Sequence, residues 1–82
     1  MRIWNLKDAR IYDGTPVEIL QQMKVVETSD LRQPLDEYIA HKAHDAGHHG
    51  DVTLEVTGDT VEERAASLLS AMEHAGLVRR IA

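Results

Sequence analysis

Residues 52–82 leave this chain the least freedom. Val52, Leu54 and Val56 alternate with Thr53, Glu55 and Thr57, the period-2 pattern of a strand with one face buried. Gly58-Asp59 turns the chain and Thr60 opens a helix. Thr60 and Glu63 stand three apart, so each can satisfy a free backbone N–H of the other in a capping box. Val61, Ala65, Leu68, Leu69 and Met72 then recur at helical spacing as one apolar stripe. Gly76 is placed as a left-handed cap, and residues 77–81 are expected to form a short closing strand. This segment is scaffold and contains no chemistry.

Upstream, residues 2–13 suit a hairpin turning at Lys7-Asp8. That turn opposes Leu6 to Ala9, Trp4 to Ile11 and Ile3 to Tyr12. Trp4, Leu6, Ala9 and Ile11 then share one face, expected to be the core face. Ile3, Asn5, Arg10 and Tyr12 share the other. Thr15-Pro16-Val17-Glu18 is a second helix start, with Thr15 as cap, Pro16 in the first turn and Glu18 closing a capping box. Ile19, Leu20 and Met23, with Val26, form its inward stripe. Pro34 opens a further helix with Asp36 and Glu37 in its first turn and His41, Lys42 and His44 towards its end, as the helix dipole favours. Its inward residues are Leu35, Tyr38, Ile39, Ala43 and Ala46, and Gly47 is expected to end it.

The order is therefore β-β-α-α-β-α-β in one domain spanning 1–82. The expected class is α+β, a small mixed sheet with three helices packed on one face. The uncovered face is expected to present Ile3, Arg10, Tyr12, Thr53 and Glu55 as a partner-binding surface, an aromatic anchor with a polar rim.

Composition narrows the function. With no cysteine there is no disulfide framework and no thiolate metal site. No apolar run approaches the roughly 20 residues of a membrane-spanning helix, and no signal-peptide core is expected. Fourteen acidic against nine basic residues give a formal charge of −5. The only adjacent basic pair is Arg79-Arg80, and counterion release from a phosphate backbone needs several cations on one face, so nucleic-acid binding is not expected.

The candidate chemistry is sparse. His41, His44, Asp45 and His48 are the metal-ligand candidates: imidazole and carboxylate one helical turn apart can hold Zn²⁺ or Ni²⁺. A glycine end to the helix before His48 would separate the second pair, and histidines at a helix C-terminus are favourable without any metal. Solvated side chains are the stronger interpretation. Ser67, Ser70 and His74 line up on the polar side of their helix, but nothing supplies an oxyanion hole or an orienting acid. No catalytic residue and no cofactor are expected.

The function that follows is a small cytoplasmic protein-interaction or assembly module without catalytic activity. It is expected to bind another protein or its own copy, and not nucleic acid, a membrane or a small molecule. The alternatives are a His-cluster metal-binding protein and an acidic antitoxin-like regulator that masks a basic partner.

Overall fold

The computed structural model describes residues 1–27, 32–50 and 54–81, with the backbone alone for 45–50. The chain opens with β1 (Arg2–Asn5) and β2 (Arg10–Asp13), paired antiparallel with Ile3 opposite Tyr12, Trp4 opposite Ile11 and Asn5 opposite Arg10. This is the register expected from the sequence. The connection is longer than a two-residue turn, because residues 6–9 all lie outside the ladder. Two side chains hold it: Asn5 Oδ1 accepts from Lys7 N (3.2 Å) and Asp8 Oδ1 from Arg10 N (3.0 Å). Asn5 is buried for this role, and its Nδ2 has no partner among the described residues.

Ala9 closes the turn at φ 57. That left-handed conformation costs a residue with a Cβ roughly 1–2 kcal/mol. Glycine removes this strain but gives back part of the gain through its freer unfolded chain. Ala9→Gly is expected to stabilise the protein by about 0.5–1 kcal/mol, raising the thermal midpoint by about 3–6 °C. A lowered midpoint in a thermal melt would contradict the turn geometry.

Three helices follow: α1 (Pro16–Glu27), α2 (Leu35–Gly50) and α3 (Val61–His74), with β3 (Val78–Arg80) last. The capping box of α1 is reciprocal, Thr15 N donating to Glu18 Oε1 (3.0 Å) and Glu18 N to Thr15 Oγ1 (3.2 Å). The Thr15 backbone N–H, and after it the Thr15 hydroxyl, hold the Glu18 carboxyl below its ordinary pKa. At α3, Glu63 N donates to Thr60 Oγ1 (3.1 Å). Its far end is a Schellman cap: Gly76, at φ 77, donates to Glu73 O and Leu77 N to Met72 O. The helix α2 continues past Gly47 to Gly50, against the expectation that Gly47 ends it. An isolated glycine costs a helix only about 1 kcal/mol.

The sheet is antiparallel throughout, in the order β2-β1-β3, and the class is α+β as expected. The strand anticipated at 52–57 is different. Residues 51–53 lie outside the described residues, and 54–58 carry no ladder pairing. Leu54 is buried, Val56 half-buried, and Glu55 and Thr57 exposed, so the alternation is there. It lies against α3 instead, with Thr57 N donating to Ser67 Oγ (3.0 Å). Both sides of β1 are already occupied by β2 and β3.

The helices α1 and α3 pack on β2 and β3 respectively, and α2 packs on the two helices. Tyr38 and Lys42 of α2 both reach Glu27 at the end of α1 (2.8 and 2.5 Å), and Arg64 Nε of α3 reaches Asp36 of α2 (2.9 Å). The core joins Ile19, Leu20 and Met23, Tyr38 and Ile39, Leu54, and Ala65, Leu68, Leu69 and Met72 to the sheet residues Ile3, Tyr12 and Val78. Val26, expected in the stripe of α1, is exposed.

The last three core residues overturn the expected face of the hairpin. Ile3 and Tyr12 are buried, while Trp4, Leu6 and Ile11 are exposed. The reason is the third strand. Its register sets Val78 opposite Asn5 and Arg79 opposite Trp4. Val78 thereby adds its side chain to the face of Ile3 and Tyr12, and Arg80, on that same side opposite Ile3, stays exposed at the edge of the sheet and reaches Glu73 of α3 at 3.5 Å. Tyr12 can go inside because its hydroxyl donates to Asp8 Oδ2 at 2.7 Å.

Candidate interaction surface

The helices leave one side of the sheet bare, and pleating decides which side chains it shows. Directly opposed residues share a face, and alternate residues along a strand share it too. The uncovered face therefore carries two cross-strand rows. One is Ile11–Trp4–Arg79. The other is Asp13–Arg2–Ile81, since Arg2 opposes Asp13 and its carbonyl accepts from Ile81 N (3.0 Å). Trp4 stands at the centre on the middle strand, 37% exposed, and Ile11 beside it is 62% exposed. Met1, Leu6 and Ile81 are exposed as well. Arg2 pairs with Asp13 at 3.4 Å, both in solvent. Arg79 has no carboxylate partner among the described residues.

The five residues singled out from the sequence do not form this surface. Ile3 and Tyr12 lie beneath the sheet in the core. Arg10 is exposed but alternates with Ile11, so it belongs to the side of Tyr12. Thr53 lies outside the described residues, and Glu55 is exposed beside α3, away from the sheet. The residues that do share the bare face are Trp4, Ile11, Arg79, Arg2, Asp13 and Ile81. Pairing residues 78–81 against the hairpin in the sequence would have found them, because that pairing sets Val78 on the side of Ile3 and Tyr12 and Arg79 beside Trp4.

Comparison with family models, curated proteins and solved structures finds no match. The surface must be judged on its own chemistry. The two buried tyrosines are structural: burial, then the hydrogen bond to Asp8, raises the pKa of Tyr12, and burial, then the bond to Glu27, raises that of Tyr38. Neither is set up to exchange a proton.

The other candidates are less developed. Because α2 runs on to Gly50, the one-turn spacing of His41 with Asp45 and of His44 with His48 is kept along one helix. The side chains of Asp45 and His48 lie outside the described residues. His41 Nδ1 is 3.1 Å from Gln33 Nε2. Among the described residues no three His, Asp or Glu side chains are gathered for a metal. Ser67, Ser70 and His74 border an open groove of about 590 Å³ with Glu55 and Thr57. Ser67 is engaged by Thr57 N, and among the described residues no hydrogen bond links Ser70 to His74. No described helix is long and apolar enough to cross a membrane.

Proposed function

We propose that this chain is a non-catalytic protein-interaction module of the cytoplasm, docking through the bare face of its sheet with Trp4 as anchor. The observation that carries this is the position of Trp4: the middle strand, the uncovered face, Ile11 on one side and Arg79 on the other. Tryptophan and arginine are the residues most enriched where binding energy concentrates, typically at the centre of a patch with a polar rim. Isolated exposed apolar residues are ordinary. Here Trp4 and Ile11 are directly opposed on neighbouring strands. The absence of cysteine agrees with a reducing compartment.

The test is retention of a partner from native lysate by the wild-type protein and by Trp4→Ser, with sedimentation velocity for association with its own copy. Removing Trp4 is expected to weaken the contact by about 2 kcal/mol or more, with the protein still folding cooperatively at a modestly lower urea midpoint, since Trp4 lies outside the core. A partner held equally well by Trp4→Ser removes this face from consideration.

A further inference from the structure

Resting on the docking surface proposed above, we infer that its partner is an acidic segment of another protein, in which carboxylates flank an apolar anchor. The sheet layer and the helical layer carry opposite charge. Of the nine Lys and Arg residues, Arg2, Lys7, Arg10, Arg79 and Arg80 lie on the hairpin and β3, against only Asp8 and Asp13 there. The rest of the chain holds four cations and twelve acids. The net charge of −5 conceals a basic sheet, of whose cations Arg2 and Arg79 lie on the bare face while Arg10 and Arg80 lie on the side of Tyr12 and Ile3.

The two acids of the sheet are already engaged. Asp8 accepts from the Tyr12 hydroxyl and from Arg10 N, and Asp13 pairs with Arg2. Arg80 reaches Glu73 of α3 at 3.5 Å. Arg79 is left beside Trp4 without a carboxylate among the described residues. An incoming apolar side chain can cover Trp4 and Ile11 while a neighbouring carboxylate meets Arg79, the arrangement that gives both affinity and orientation.

Other occupants fit less well. A symmetric pair of copies meeting face to face would set the same patch against itself, with Arg79 and Arg2 on both sides. A copy offering its acidic helices would leave its own sheet free to recruit the next copy, so that the contact gives rings or filaments rather than a discrete pair. A nucleic acid gains affinity from each phosphate neutralised. On this face Arg2 is already paired, and the rest of the chain carries an excess of acids that disfavours a long polyanion.

The test uses fluorescence anisotropy of three labelled probes: a short synthetic peptide of glutamates around a central leucine pair, its lysine counterpart, and oligothymidylate. The acidic peptide is expected to bind saturably, more weakly as salt rises, and the lysine peptide not at all. Arg79→Glu is expected to weaken the acidic peptide by about tenfold or more, with Arg79→Gln between it and the wild type. The inference is overturned if the acidic peptide fails to saturate, if the lysine peptide binds as well, or if oligothymidylate binds more tightly. It is also overturned if Arg79→Glu has no effect while Trp4→Ser still loses the partner, a result that leaves the docking face standing. Acidic-peptide binding indifferent to Trp4→Ser overturns the docking face itself.

Discussion

Leu68→Ala is expected to destabilise the protein by about 2–5 kcal/mol, whereas Ser70→Ala, two residues further on, should change stability by no more than about 0.5 kcal/mol. Leu68 is fully buried on α3, the element that packs against α1, α2 and β3 alike. Truncating it removes transfer free energy and leaves a cavity that several elements would have to close together. The described residues form one core cluster, and small domains have only about 5–15 kcal/mol in total. Much of the Leu68→Ala protein should therefore be unfolded in modest urea. Ser70 is exposed on the opposite side of the same helix, so the pair separates burial from helix propensity. Equal urea midpoints for the two variants would sink the assigned orientation of α3.

The features legible in the sequence are those fixed by local chemistry. Thr15 with Glu18 and Thr60 with Glu63 cap their helices, and Gly76 takes the left-handed position that ends α3. Each depends on residues within one turn of one another. The hairpin register was legible for the same reason, since any connection centred between Lys7 and Asp8 opposes Ile3 to Tyr12, whatever its length. Two other features depend on distant parts of the chain. The alternation of residues 54–57 reports one buried side, which Leu54 confirms, but not whether a ladder or a helix receives it. The face of the hairpin is ambiguous locally, because Ile3 with Tyr12 and Trp4 with Ile11 are equally apolar pairs. Val78, more than sixty residues away in the chain, breaks the tie by joining the face of Ile3 and Tyr12. That choice also moved the candidate surface from Tyr12 to Trp4.

The same choice gives the second large effect. Tyr12→Ser is expected to cost about 3–5 kcal/mol, the range for deleting a large buried aromatic side chain. Tyr12 is 4% exposed, packs in the core with Ile3, and closes its turn by donating to Asp8 at 2.7 Å. Tyr12→Phe isolates the last of these. It keeps the ring and removes a hydrogen bond to a charged acceptor, which should cost about 1.5–3 kcal/mol. The neighbouring Ile11→Ser should be nearly silent in the same melts, since Ile11 is 62% exposed and faces the other way. Trp4 supplies an independent reading of the face, as the only tryptophan in the chain. On the bare side, where Trp4 is 37% exposed, its emission should stay open to quenching by iodide in the folded protein, with folding giving partial protection only. Moving a strand by one residue exchanges its two faces, so these observations stand or fall together. A protein that tolerates Tyr12→Ser, unfolds on Ile11→Ser and shields Trp4 from iodide has its hairpin turned over, and its docking face is then built on Ile3 and Tyr12.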